Sequence, residues 1–144
     1  MKASTMVVRP FRVLQANVMK CYASHQELIR HFISNDFSIA LISEPYVGSN
    51  SSVASIKGID IYQFTYVNRV KACVLIKQSF CNSLGVTQLS TPNLAVVKLK
   101  ADHRDLFIAS AYIEPDSDTS NTFDAINKFL HKTRRRRRTR NSHH

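Results

Sequence analysis

Two short segments are apolar at successive positions, and they constrain the fold more than any other feature of the sequence. Phe37–Ser43 reads Phe-Ser-Ile-Ala-Leu-Ile-Ser, and Cys73–Ile76 is apolar throughout. Neighbouring side chains of a β-strand point to opposite faces of the sheet, so a strand of this kind must be covered on both faces. The sequence therefore predicts a layered α/β fold with a buried central sheet.

The other segments predict further strands and two helices. Ser24–Glu27 has the Ser-x-x-Glu pattern of a capping box, and the apolar residues after it have helical spacing, which predicts a helix from Ser24 to Ile33. A second helix is predicted from about Phe123 to Lys132. Strands are predicted at Phe11–Asn17, Phe37–Ser43, Ile59–Tyr66, Ala72–Lys77, Leu94–Lys100 and Leu106–Ile113. Residues 101–105 are predicted to join the last two strands as a polar hairpin connection.

Two helices can cover only one face of the predicted sheet. A second sheet or a partner is therefore expected on the other face. The purified chain is expected to self-associate through this exposed apolar face.

The positive charge of the chain is concentrated at its C-terminal end. The chain has 20 basic and 10 acidic residues, a net charge of +10, and seven of the basic residues lie in 131–144. We predict a domain over residues 1–130 and a basic, disordered tail over 131–144. The tail is either a solvated segment without a selected role or a phosphate-binding and nuclear-targeting segment. In the second case the nucleic-acid-binding residues are Arg134, Arg135, Arg136, Arg137, Arg138 and Arg140.

Several classes of protein are excluded or disfavoured by composition. Three glycines, at wide spacing, cannot form a P-loop or a dinucleotide-binding fingerprint. The N-terminal residues contain no apolar run of the length of a secretion signal, and the three cysteines are an odd number, so an intracellular location is expected. About 18 consecutive apolar residues would be needed to span a membrane, and no such run is present.

Three polar residues stand where predicted strands end. Asn17 closes the first strand, Glu44 follows the second, and Tyr112 lies near the end of the last. Ligands of open α/β sheets bind at strand ends, where a carboxylate can hold Mg²⁺ and a phenol can donate to a phosphoryl group. Each residue alone also fits a structural role, as a turn amide, a hydrogen-bonded strand end or a sheet aromatic.

A metal site at the first helix is a weaker alternative. Cys21, His25 and His31 are close in sequence, but the two histidines are six residues apart on the predicted helix. That spacing places them on different faces, and no fourth ligand is evident. Structural roles at exposed or half-buried positions are expected for these residues.

Several segments together resemble the endonuclease/exonuclease/phosphatase superfamily. The first part of the chain is similar to the opening of that family: a strand at Phe11–Asn17, a helix, and the segment Ile39–Tyr46. Lys71–Ile76 and Ala109–Pro115 resemble its later strands, and the likeness covers about residues 10–130. More narrowly, the chain resembles the endonuclease domain of non-long-terminal-repeat retrotransposons of insect type.

The resemblance implies a fold, a chemistry and a role for each candidate residue. The implied fold is a four-layer α/β/β/α sandwich of which this chain forms the N-terminal half, and the implied activity is Mg²⁺-dependent hydrolysis of DNA. Asn17 matches the amide near the metal and the scissile phosphate. Glu44 matches the carboxylate that binds the metal, and Tyr112 matches the aromatic residue that touches the phosphate.

The chain also departs from the family pattern. The family continues with a Gly-Asp-x-Asn stretch and a later Ser-Asp-His, and this chain has no Asp-x-Asn. Its single Asp-His pair, Asp102-His103, lies before Tyr112 and is interpreted as a turn. The first hypothesis is therefore a truncated retrotransposon-derived DNA endonuclease domain that is inactive alone. The alternatives are a basic remnant that binds nucleic acid without cutting it and a fragment without function.

Overall fold

The computed structural model describes residues 11–65, 69–101, 104–115, 123–124, 126–128 and 131. The chain divides into two compact units, residues 1–112 and residues 113–144. In the second unit the described residues from 123 to 131 are helical. The elements of the first unit are β1 (Val13–Asn17), α1 (Tyr22–Ser34), β2 (Ile39–Ser43), β3 (Ile59–Tyr62), β4 (Ala72–Lys77), β5 (Asn82–Gly85), β6 (Leu94–Ala101) and β7 (Arg104–Ala111).

The first sheet is mixed and has the strand order β1-β2-β4-β3. β1 runs parallel to β2, and their last residues, Asn17 and Ser43, are register partners. β4 runs antiparallel to both of its neighbours, so its first residue, Ala72, pairs with Ser43. The predicted α/β class with a mixed sheet and two helices is confirmed.

The two apolar strands of the sequence lie at the centre of this sheet and contribute to two separate cores. On one face Ile42, Cys73 and Leu75 are completely buried with Phe32 of α1. On the other face Ile39, Val74 and Ile76 are completely buried against Ala95 and Val97 of β6. Alternation along an extended strand sends successive side chains to these two cores, which explains why every position had to be apolar.

A second sheet of this chain supplies the cover on the second face. It has the order β5-β6-β7, and all of its pairs are antiparallel. The idea that this face would stay open and drive self-association is therefore not supported, because Val97 and Leu99 of β6 pack on it. Two strands of this covering sheet, β6 and β7, were predicted from the sequence. The order of strands along the chain does not show how they divide into sheets.

Two local predictions were wrong. The helix α1 begins at Tyr22 with Cys21 as N-cap, and no side chain caps it, so Ser24 lies inside the first turn and forms no capping box. The edge strand β5 was missed because Asn82–Gly85 is mostly polar and its Leu84 is exposed. Among the described residues no helix has the length and apolarity needed to cross a bilayer.

Candidate active site

Strand ends from the first sheet meet at one edge of the molecule. Asn17 ends β1, and Glu44 directly follows β2 and is half-buried. The Glu44 N–H donates to the carbonyl oxygen of Lys71, at 2.8 Å, so the chain entering β4 lies beside the chain leaving β2. The parallel pairing of β1 and β2 therefore places the Asn17 and Glu44 backbones at a common edge.

The second sheet reaches the same edge through Tyr112, which directly follows β7. The Tyr112 N–H donates to the carbonyl oxygen of Asn93 at 2.8 Å, and the Lys71 N–H donates to the carbonyl oxygen of Pro92 at 2.7 Å. The Lys71 ammonium lies 5.3 Å from the centre of the Tyr112 ring, a distance typical of a cation–π contact. We call Asn17, Glu44, Lys71, Asn93 and Tyr112 the shared edge.

A buried hydrogen bond joins the two sheets next to the shared edge. Ser110 is 5% exposed, and its hydroxyl donates to the carbonyl oxygen of Ile42 at 2.9 Å. Ile42 lies two residues before Glu44, and Ser110 lies two residues before Tyr112. This bond therefore fixes the separation of the strands that carry the carboxylate and the phenol.

Among the described residues, three of the four non-glycine residues with a positive φ lie at or next to the shared edge. Glu44 has a φ of +48°, and Met19 and Lys20, in the turn after β1, have φ values of +52° and +57°. Residues other than glycine rarely adopt this left-handed region, and they do so chiefly where the surrounding structure enforces it. Here Asn17 Oδ1 accepts from the Met19 N–H at 2.8 Å, and the Lys20 N–H donates to the Glu44 carbonyl oxygen at 2.8 Å.

His25 of α1 supports the segment that carries Glu44. It is 5% exposed, and its Nδ1 accepts from the Tyr46 N–H at 3.1 Å. Burial lowers the pKa of His25, which keeps the imidazole neutral and able to accept this bond. Pro45, between Glu44 and Tyr46, is completely buried. The turn after β2 is therefore held in place directly after Glu44.

One comparison with known proteins is informative. The chain is similar to the solved endonuclease domain of TRAS1, a telomere-specific non-LTR retrotransposon, with a TM-score of 0.73 and 28% sequence identity. The match covers 86% of this chain and 54% of that structure, so this chain spans about half the length of its structural relative. The chain has the fold of a retrotransposon endonuclease domain. No family model and no curated protein sequence matches it.

A metal ion at the shared edge would find one carboxylate ligand there, Glu44. The described residues contain no group of three or more His, Cys, Asp or Glu side chains that could hold a metal ion by themselves. Mg²⁺ commonly binds through one or two carboxylates and completes its coordination with waters and phosphate, so the single Glu44 carboxylate fits Mg²⁺ better than a ligand-rich metal.

The structure assigns different surroundings to the other residues singled out in the sequence. His25 is buried, whereas Cys21 and His31 are exposed, and His31 Nδ1 lies 3.0 Å from the Asn35 amide nitrogen. The polar backbone and side-chain groups of nearby Ser24 lower the pKa of the Cys21 thiol. Asp102, His103 and the arginines at 134–138 and 140 lie outside the described residues.

Sequence reasoning missed Lys71, Ser110 and the role of His25. Lys71 had a usable signal, because it is a cation directly before a strand that is apolar on both faces. Ser110 and His25 carry no such signal in the sequence. Ser110 acts through a hydrogen bond to a residue 68 positions away, and His25 through one to a residue 21 positions away.

Proposed function

We propose that the shared edge is a Mg²⁺-dependent DNA phosphodiester site of the retrotransposon endonuclease type. The observation that carries the proposal is the convergence of a carboxylate, a cation and a phenol from three different strand ends on one strained edge. Strand ends are the usual ligand sites of α/β sheets, and strained backbone clusters at functional sites. The 28% identical endonuclease domain supports the same chemistry.

The proposed roles follow from the chemistry of each side chain. Glu44 would hold Mg²⁺, and the Asn17 amide would orient that carboxylate or a phosphate oxygen. The bound ion would supply charge stabilisation to the phosphate. The Tyr112 hydroxyl would donate to a phosphate oxygen, and the Lys71 ammonium would add a positive charge where the phosphate gains negative charge.

The chain alone is proposed to bind metal and DNA without cutting efficiently. It has no Asp-x-Asn motif, and Glu44, the one carboxylate among the five residues of the shared edge, is assigned to the metal, so these residues leave no separate general base. General acid–base catalysis contributes about 10²–10⁴ in rate, so its loss should leave little plasmid nicking. The same observation favours the second candidate function, non-catalytic nucleic-acid binding by a chain with a net charge of +10.

Paramagnetic Mn²⁺ as a probe for the Mg²⁺ site tests the metal assignment. We expect Mn²⁺ to broaden the NMR signals of the Asn17 and Lys71 amides, and we expect Glu44→Gln to abolish the effect. Glu27→Gln is the matched control, because Glu27 is an exposed carboxylate that pairs with Arg30 on α1. Broadening that persists in Glu44→Gln would overturn the assignment.

Plasmid nicking tests the catalytic part. We expect no appreciable nicking with Mg²⁺ above the level seen with EDTA. Strong nicking that Glu44→Gln abolishes would support the site at the shared edge and would show that these residues are sufficient for hydrolysis. Nicking that is insensitive to Glu44→Gln would place the activity elsewhere.

A further inference from the structure

Two tyrosines stand exposed directly beside the shared edge. Tyr22 begins α1 and is 60% exposed, and Tyr46 lies two residues after Glu44 and is 37% exposed. Their ring centres are 5.1 Å apart and their planes meet at 79°, an edge-to-face pair. We call this pair the tyrosine ledge. Tyr22 is the more exposed ring of the pair, so much of its surface is accessible to a ligand.

Hydrogen bonds hold the backbone of the segments that carry the tyrosine ledge. Tyr46 is fixed through its N–H on buried His25, and the two rings are 6.4 Å apart. The turn that leads from β1 to Tyr22 is fixed by the hydrogen bond from the Lys20 N–H to the Glu44 carbonyl oxygen. A surface that is ordered before binding loses little conformational entropy when a ligand arrives. The backbone that carries both tyrosines is therefore ordered before a ligand binds.

The charge near the tyrosine ledge favours an anionic ligand. Lys20 is exposed in the turn before Tyr22, and Lys71 lies on the shared edge. The whole chain has a net charge of +10, so a second copy of it would be repelled. A nucleic acid strand combines negative phosphates with flat base faces, and every base can stack on an aromatic side chain.

We propose that the tyrosine ledge binds an unstacked DNA base next to the phosphate held at the shared edge. This inference rests on the proposed function, since it places the ledge beside the phosphodiester that Glu44 would serve. Tyr22, the more exposed ring of the pair, stacks on the base, and Tyr46 keeps its edge-to-face contact with Tyr22. Exposed Lys20, two residues before Tyr22, would add a positive charge for a phosphate of the same strand.

A single-stranded oligonucleotide that contains 2-aminopurine tests the proposal, because stacking on an aromatic ring quenches the fluorescence of this base. With the full chain in EDTA, we expect quenching that Tyr22→Leu removes and Tyr22→Phe retains. Base–aromatic stacking is worth about 1–3 kcal/mol, so Tyr22→Leu should weaken binding roughly 5- to 150-fold. The salt dependence of binding should not change, because tyrosine contributes no counterion release.

Phe11→Leu is the matched control. Phe11 is 40% exposed but precedes β1, whereas the tyrosine ledge follows the end of β1, so the two aromatic sites lie at opposite ends of the strand. We expect binding and quenching to stay unchanged in this variant.

The outcomes separate this proposal from the proposed function. Unchanged quenching and affinity in Tyr22→Leu would overturn base binding by the tyrosine ledge, whatever effect Glu44→Gln has on metal binding. If Tyr22→Leu weakens stacking but Glu44→Gln leaves Mn²⁺ binding unchanged, the tyrosine ledge is supported as a base-binding surface and the proposed metal site is overturned. A concentration-dependent dimer in sedimentation that Tyr22→Leu dissolves would also overturn the proposal, because the ledge would then be an interface between two copies.

Discussion

At the scale of single residues, Glu44 combines a functional side chain with an unfavourable backbone. Its φ of +48° is one that glycine adopts without cost and that other residues adopt at a cost of about 1 kcal/mol or more. We therefore expect Glu44→Gly to be more stable than Glu44→Ala by about 1 kcal/mol, although both variants lose the carboxylate. Urea unfolding of the two variants measures the difference, and equal stabilities would show that the backbone at Glu44 is not strained.

His25 makes stability depend on pH. Burial lowers its pKa from the ordinary value of 6.5, so the unfolded chain binds a proton at a higher pH than the folded chain does. The contribution of neutral His25 to the free energy of unfolding is fully present above pH 6.5. It is lost as the pH falls below that value toward the pKa of the folded state. His25→Asn keeps an acceptor for the Tyr46 N–H but does not titrate between pH 5.5 and 7.5.

The His25 prediction is checked by unfolding both proteins in urea at pH 7.5 and pH 5.5, values chosen to bracket about 6.5. We expect the original protein to lose more stability across this range than His25→Asn. At pH 7.5 His25→Leu should be less stable than His25→Asn by about 1–3 kcal/mol, because it leaves the Tyr46 N–H without its acceptor. Identical pH dependence in both proteins would contradict the role of His25.

At the scale of elements, α1 is held to the first sheet by a narrow apolar stripe. Phe32 is completely buried in that core, whereas its neighbour Ile33 is 52% exposed. We expect Phe32→Ala to reduce the free energy of unfolding by about 3–5 kcal/mol and Ile33→Ala to change it by less than about 1 kcal/mol. Urea unfolding measures both, and similar losses would mean that the helix packs on a different face.

At the scale of the whole molecule, the net charge of +10 governs association with nucleic acid. If the arginine run contacts phosphates, replacing residues 134–138 with serine should make the slope of log affinity against log salt less steep by about 3–5, depending on the nucleic acid. Lys57→Ser removes one exposed charge and should change the slope by at most about 1. Duplex binding across a salt series is the measurement, and an unchanged slope would show that the arginines do not touch DNA.

Much of the first sheet could be predicted because its signals are local. Ile39–Ser43 and Ala72–Lys77 were found from their unbroken apolar character, and the end of β2 before Glu44-Pro45 follows from the missing N–H of proline. The start of α1 was misplaced, because a capping pattern competes with the backbone geometry that the preceding turn imposes. The polar edge strand β5 has no such pattern, because only its hydrogen bonds to β6 make it a strand.

The sequence by itself determined the α/β class, the two-sided burial of the central strands and the position of Asn17, Glu44 and Tyr112 at strand ends. These properties depend on alternation and on chain-breaking residues, which act over a few positions. Only the tertiary structure decided that β6 covers the second face, that Lys71 links the carboxylate segment to Tyr112, and that His25 and Ser110 fix the segments beside them. These contacts join residues far apart in sequence, and their partners are chosen by the packing of whole sheets, a choice that no local pattern records.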